Sequence, residues 1–184
     1  MAKKRNYVNN KDLLAALIAY RESVAEAEEG GEKKPQVPDY IGKCIMMIAQ
    51  RLATRPNFSG YMYKEEMISD GIENCLQYIH NFNPEKSQNP FAYFTQIIWY
   101  AFLRRIDKEK KQLYIKHKVT ENSVISGTAV DGASDGDDAP SYIDLDNDYM
   151  TDFVKNYEKK MDEKKAQQQK RAKKGLEKFI DNEE

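Results

Sequence analysis

Cysteine, histidine and long apolar runs are scarce in this sequence, and each scarcity excludes a class of protein. The only cysteines, Cys44 and Cys75, and the only histidines, His80 and His117, lack zinc-ligand spacing, so we expect buried thiols and no metal site. No apolar run approaches the roughly 20 residues that cross a bilayer. Polar residues follow the basic start Met1-Ala2-Lys3-Lys4-Arg5, so we expect no signal sequence, no membrane contact and a cytoplasmic protein.

Excess charge of one sign is also missing, because the net charge is only −1. The charges are nevertheless segregated along the chain. Seven cations and two acids lie between Arg104 and Lys118, whereas residues 119–154 contain acids and neither Lys nor Arg. A second basic run covers residues 155–178. Any nucleic-acid contact must therefore come from one of the basic segments rather than from overall charge.

Alternating strand patterns are absent between residues 9 and 118, while apolar residues recur at helical spacing. We expect an all-α fold, an irregular bundle of four helices in a domain at residues 1–118. The residues expected on buried faces include Leu13, Leu17 and Ile18 of the first helix, Ile41, Ile45 and Ile48 of the second, Leu76 of the third, and Phe94 and Ile98 of the fourth. The helices should begin at Asn9 or Asn10, at Pro38 or Asp39, at Ser59 and at Asn89-Pro90. The first should stop at Gly30-Gly31 and the third near His80.

The core pattern ends after the fourth helix. Residues 119–154 should form an acidic flexible linker, because Gly, Ser and Asp bury too little apolar area to offset chain entropy. Residues 155–184 should form a basic tail whose helix is marginal when alone. Leu176, Phe179 and Ile180 lie near the end of this tail, a placement that suits a partner's groove better than a core.

The predicted fourth helix has more aromatic residues than the core of a small bundle needs. Tyr93, Tyr100 and Arg104 lie on the side opposite Phe94 and Ile98, so we expect an exposed aromatic side followed by cations. Unstacked bases need flat apolar partners and their backbone needs countercharge, so this side suits single-stranded nucleic acid. The alternative is that every ring is core and the cations are a solvated helix end. The six aromatics are Phe91, Tyr93, Phe94, Trp99, Tyr100 and Phe102.

Three consecutive motifs carry a resemblance to a known family. They are Glu66-Met67-Ile68-Ser69-Asp70-Gly71-Ile72, then Tyr78-Ile79-His80-Asn81-Phe82-Asn83-Pro84-Glu85-Lys86, then the run from Phe91-Ala92-Tyr93 to Ala101. This order resembles region two of bacterial sigma factors. Residues 6–118 are more specifically similar to the late-transcription sigma factors of T-even-like bacteriophages.

The resemblance implies two binding surfaces. One docks on the coiled coil of the beta-prime subunit of core RNA polymerase, and the other captures the melted non-template strand of a minus-ten-type promoter element. Gln96 and Ile97 depart from the pattern, because primary sigma factors have a tryptophan pair there. The polymerase set is Glu66, Met67, Ser69, Asp70, Glu73, Asn74 and Gln77. The DNA set is Tyr93, Gln96, Trp99, Tyr100, Leu103, Arg104, Arg105, Lys108, Lys110 and Lys111.

No minus-thirty-five-reading domain can be fitted after Lys118, so we expect weak promoter binding that needs assistance. The resemblance implies that a phage sliding clamp supplies it by binding Leu176, Phe179 and Ile180, with a phage late co-activator as a further candidate partner. We expect no catalytic residues and no cofactor, hence no enzyme. Two alternatives stay open: a non-specific single-stranded DNA-binding protein, and a polymerase-binding regulator of the co-activator or anti-sigma type.

Overall fold

The computed structural model describes the backbone of residues 7–125 and 148–180, and the side chains of residues 7–122 and 150–172. All regular structure in these ranges is helical, which confirms the all-α fold class. None of the described helices has the length and apolarity needed to span a membrane. The helices are α1 (Asn10–Glu29), α2 (Asp39–Ala53), α3 (Pro56–Ser59), α4 (Lys64–Gln77), α5 (Pro90–Ile125) and α6 (Asp148–Ile180), with a 3-10 turn at Ile79–Asn81.

Local sequence signals fix several helix ends as predicted. Asn9 caps α1, because its side-chain oxygen accepts a hydrogen bond from the amide of Lys11 at 3.1 Å. Gly30 ends α1, and Gly31 follows with φ of 68°, a left-handed conformation that glycine adopts without strain. Asn89 caps α5 by accepting from the amide of Ala92 at 3.1 Å, and Pro90 takes the first helical position.

The region between α2 and α5 differs from the prediction of one helix from Ser59 to His80. Pro56 starts the short helix α3, which ends at Gly60, and the next helix begins only at Lys64. Leu76 lies about 100° around α4 from the buried Cys75, on the exposed side of the helix, and keeps 39% of its surface accessible. The predicted burial of Leu76 was therefore wrong, and so was that of Ile18, which is 37% exposed.

A single apolar core holds α1 to α5 together within the first part of the chain. α1 contributes Leu13 and Leu17, and α2 contributes its stripe of Ile41, Ile45 and Ile48. Each of these side chains is at most 1% exposed, so the predicted helical faces of α1 and α2 are confirmed at these positions. The other fully buried large side chains are Phe58, Met67, Ile79, Phe82, Phe94, Ile98 and Phe102.

The chain divides into two compact units, Met1–Glu109 and Lys110–Glu184. The predicted boundary at residue 118 thus lies inside the second unit. The predicted linker at 119–154 is helical at both ends, since α5 continues to Ile125 and α6 begins at Asp148. A physical reason is packing within the second unit, where the ring of Tyr114 stacks on that of Tyr157 and Val154 is buried. The rest of the predicted linker, residues 126–147, lies outside the described residues.

Candidate nucleic-acid and partner interface

Helices α4 and α5 pack closely because Gly71 has no side chain. A Cβ atom at Gly71 would lie 3.1 Å from Cγ2 of Ile98 and 3.2 Å from Cε1 of Phe102. Both of these α5 side chains are fully buried, so they have little space to move away from an added methyl group. The close approach brings the polar side of α4 next to the cationic turns of α5.

An ion pair joins the two helices next to this contact. Asp70 accepts two hydrogen bonds of 2.6 Å from the guanidinium of Arg105, and Glu109 accepts a third at 3.3 Å. These bonds and the carboxylate charges raise the pKa of Arg105, since they favour its charged form. Arg105 was predicted to contact DNA and Asp70 to contact polymerase. In the unbound fold each residue satisfies the other's charge, and both assignments stay predictions.

A second polar link lies one turn further along the same seam. Arg104 donates a hydrogen bond of 2.7 Å to the side-chain oxygen of Asn74, whose amide nitrogen in turn donates to the backbone carbonyl of Asp70 at 2.7 Å. Asn74 is half-buried and its side chain bonds within the fold at both ends, while its predicted role as a polymerase contact stays untested. Arg104 remains exposed and bonds to a neutral partner, which leaves its charge uncompensated by this contact.

Most aromatic rings of α5 belong to the core. Phe94 and Phe102 are fully buried, and the half-buried Trp99 packs edge-on against Phe58 with ring centroids 4.8 Å apart. Trp99 was predicted to contact DNA, but its contact with Phe58 makes it chiefly a packing residue.

Tyr93 has a structural role as well. Its half-buried ring contacts Phe82 at 5.2 Å and Phe94 at 5.4 Å, and its hydroxyl donates to the carbonyl of Tyr78 at 2.8 Å. Burial raises the pKa of this hydroxyl. These contacts hold the Tyr93 ring against the bundle in the unbound protein, and its role as a base-capturing residue stays a prediction.

Tyr100 is the α5 aromatic that faces outward. It is 53% exposed, Leu103 is 39% exposed, and Gln96 and Arg104 are exposed at neighbouring positions of the same side. We call these four residues, Gln96, Tyr100, Leu103 and Arg104, the outward face. Lys108 is exposed one turn beyond Arg104, while the exposed Asp107 places a negative charge on the same side. The outward face therefore offers one ring and one aliphatic side chain bordered by cations.

Four of the residues predicted to contact polymerase are exposed on the outer side of α4. Glu66, Ser69, Glu73 and Gln77 are exposed, and neither glutamate forms an ion pair with a described cation. Met67 is 0% exposed in the core, so its assignment as a partner contact was wrong. Helical periodicity explains the burial, because Met67 shares one side of α4 with Gly71 and Cys75.

Two apolar side chains at the ends of this acidic side were missed by sequence reasoning. Met62 is 99% exposed in the turn before α4, between Tyr61 and Tyr63, whose rings lie 5.2 Å apart. Leu76 is the second, in the last turn of α4. Gly60 was the available signal, because a helix break there places Met62 in a turn rather than on a helix. We call the six residues Met62, Glu66, Ser69, Glu73, Leu76 and Gln77 the α4 face.

The remaining predicted contacts lie in the second unit. Lys110 is half-buried and Lys111 is exposed, both on the part of α5 that belongs to this unit. Leu176, Phe179 and Ile180 lie in the last turns of α6, and their side chains are outside the described residues.

In a comparison with known proteins, no family model and no curated protein matches the chain.

Proposed function

We propose that this protein is a sigma factor that directs late phage transcription. It binds core RNA polymerase through the α4 face and captures one strand of melted promoter DNA on the outward face. The observation that carries the proposal is the exposure of Tyr100 and Leu103 beside Arg104, on a helix most of whose other rings pack in the core. The sigma-like order of the three sequence motifs supplies the partner's identity.

The DNA part of the proposal rests on what an exposed ring next to cations can bind. A base stacked on an aromatic side chain is stabilised by about 1–3 kcal/mol, and a nearby guanidinium or ammonium attracts the phosphate. Since Tyr100 is the exposed α5 ring, the outward face stacks one base rather than several. Binding energy that is available only for unpaired bases favours the open promoter over the closed one.

The polymerase part rests on charge and apolar area. Glu66 and Glu73 lack described ion-pair partners, so a basic partner surface suits them. Met62 and Leu76 add exposed apolar side chains at both ends of the α4 face, and apolar side chains are typical of the buried centre of a protein interface. The beta-prime coiled coil is the partner that the sequence resemblance implies.

The Arg104–Asn74 hydrogen bond gives the proposal a physical link between its two surfaces. A partner that docks on the α4 face fixes the helix that carries Asn74, and Asn74 holds the guanidinium beside Tyr100. Polymerase binding would thus order the side chain that meets the promoter phosphate, which lowers the entropic cost of DNA binding.

The remaining contacts of the proposal rest on the sequence resemblance alone. Leu176, Phe179 and Ile180 would bind a phage sliding clamp, Lys110 and Lys111 would follow promoter phosphates, and a late co-activator would assist. The protein would act in the cytoplasm of an infected bacterium. It would use no cofactor and perform no chemistry, because RNA synthesis belongs to the polymerase.

Transcription from a supercoiled template library with a randomised upstream segment tests the proposal. With bacterial core polymerase, the chain should start RNA at positions that share an enriched sequence element, and a sliding clamp should raise the yield. Tyr100→Ala should lower the yield at least about fivefold. The matched control is Tyr40→Ala, an exposed tyrosine on α2. If the chain binds single strands but starts no RNA at a defined element, it is a general single-strand binding protein and the sigma proposal is wrong.

A further inference from the structure

The second unit presents a long, exposed basic stretch of α6. Every residue from 159 to 172 is exposed, over about 20 Å of helix. None of its charged groups forms an ion pair with a carboxylate or cation among the described side chains. We call residues 159–172 the basic stretch. Its cations are Lys159, Lys160, Lys164, Lys165, Lys170 and Arg171, against Asp162 and Glu163 as acids.

The part of α6 before the basic stretch is held in place within the second unit. Tyr157 stacks on Tyr114 with ring centroids 4.8 Å apart and on Phe153 at 6.0 Å. Glu158 accepts a hydrogen bond from the Tyr114 hydroxyl at 3.1 Å and pairs with Lys118 at 3.3 Å. The basic stretch therefore continues a helix whose preceding turns are fixed by packing.

The basic stretch gains little stability from its own side chains. Helices that are polar on every side depend on internal ion pairs or on an external partner, and no internal pair is formed among the described side chains of this stretch. Uncompensated like charges repel one another along the helix. A polyanion removes this repulsion and gains entropy from released counterions, so it is the class of partner that this charge pattern favours.

The positions of the cations around the helix favour duplex DNA over an anionic membrane surface. At about 100° per residue, Lys159 and Lys170 share one side, and Lys160, Lys164 and Arg171 share another side about 100° away. Lys165 lies about 120° beyond the second side, so cations flank the helix on three sides. A membrane surface is planar and needs an apolar side on the helix, which the basic stretch lacks. The major groove of duplex DNA admits a helix and presents phosphates on both of its flanks.

We propose that the basic stretch binds the phosphate backbone of duplex DNA without sequence preference, with the helix lying along a groove. This activity goes beyond the proposed function, because it needs neither polymerase nor a promoter. It would hold the protein on DNA through contacts that are independent of the outward face.

Salt-dependent binding of the full chain to a labelled duplex without promoter sequence tests the proposal. The test variant carries Lys159→Gln, Lys160→Gln, Lys164→Gln and Lys165→Gln. The control carries Lys11→Gln, Lys33→Gln, Lys34→Gln and Lys43→Gln, which are exposed in the first unit and give the same net charge. Glutamine has about the helix propensity of lysine, and circular dichroism checks that helix content is kept.

We expect the slope of log affinity against log salt concentration to fall by about 3.5 in the test variant, because each lost phosphate contact removes about 0.9. The control should keep the parental slope, and the corresponding four Lys→Arg changes in α6 should restore it. Equal losses in test and control would overturn the proposal, since net charge alone would explain them. An equal or larger slope change on single-stranded DNA, or an effect confined to anionic vesicles, would overturn it as well.

Discussion

Asp70 and Arg105 form a two-pronged ion pair that joins α4 to α5, with Oδ1 and Oδ2 each 2.6 Å from a guanidinium nitrogen. The two side chains are 28% and 18% exposed, so water screens the pair only in part. The pair lies beside the Gly71 contact and holds the α4 face next to the outward face.

Replacing Asp70 by Asn should destabilise the fold, because the amide cannot accept both bonds or balance the guanidinium charge. We expect a loss of about 1–2 kcal/mol in the free energy of unfolding, measured by urea denaturation. Glu73→Gln is the matched control, since Glu73 is exposed on the same helix and forms no described ion pair. Equal stability of the two variants would show that the ion pair contributes nothing.

Replacing Gly71 and Gly42 by alanine should change the free energy of unfolding in opposite directions. Gly42 lies within α2, and a Cβ atom there would have no neighbour within 4 Å, so Gly42→Ala should stabilise by about 0.5–1 kcal/mol. Gly71→Ala gains the same propensity but presses on two buried side chains, so we expect a net loss of about 1 kcal/mol or more. Thermal unfolding of both variants measures the difference. A stabilised Gly71→Ala protein would contradict the close packing of α4 on α5.

Phenylalanine substitutions should distinguish Tyr93, which has a structural role, from Tyr100, which faces outward. Tyr93→Phe removes the hydrogen bond to the carbonyl of Tyr78 and should cost about 0.5–1.5 kcal/mol. Tyr100→Phe should leave stability unchanged, because no hydrogen bond of its hydroxyl to a described residue is found. Urea midpoints measure both effects. A larger loss from Tyr100→Phe than from Tyr93→Phe would reverse the two assignments.

The fold class and most helix faces followed from the sequence, including the outward position of Tyr100 and Arg104 on α5, while the packing of Tyr93 and Trp99 did not. Helical spacing identified Leu13, Ile45 and Phe94 as core, because periodicity reports which side of a helix is buried. Periodicity does not predict that the Tyr93 hydroxyl donates a hydrogen bond to the Tyr78 carbonyl, or that Trp99 packs against Phe58. Those contacts depend on how α3 and the 3-10 turn place distant residues.

The α4 face shows the same limit. Asp70 and Asn74 had the polar character expected of partner contacts, yet both bond to α5, since Gly71 brings the helices close enough. Met67 was assigned from its position in a motif although helical periodicity placed it in the core. Glu66, Ser69, Glu73 and Gln77 kept their predicted exposure, because their side of α4 meets no other described helix side chain through a hydrogen bond or ion pair.

Alkaline pH should lower stability through Cys75. Burial raises the pKa of this thiol from its ordinary value of 9.0 to about 12, because the thiolate would be desolvated in the core. A group whose pKa is raised by folding keeps its full stabilising effect below the unfolded pKa and loses it as pH rises towards the folded value. Stability should thus fall between pH 9 and 12.

Urea midpoints across this interval measure the effect, and Cys75→Ala serves as the control because it removes the titrating thiol. The parental protein should lose stability with a steeper pH dependence than the variant. At about pH 8, we also expect no reaction of the native thiols with a disulfide reagent, and full reaction after unfolding. Rapid labelling of Cys75 in the native protein would contradict its burial.

The central claim is that Tyr100 on the outward face holds an unpaired base, and permanganate reactivity of promoter thymines tests it most directly. On a template enriched from the library, core polymerase with the parental chain should render thymines near the start site reactive. Tyr40→Ala should preserve that reactivity. Tyr100→Ala should reduce it at least about fivefold while polymerase binding and the urea midpoint stay unchanged. Equal reactivity with Tyr100→Ala and the parental chain would contradict the claim.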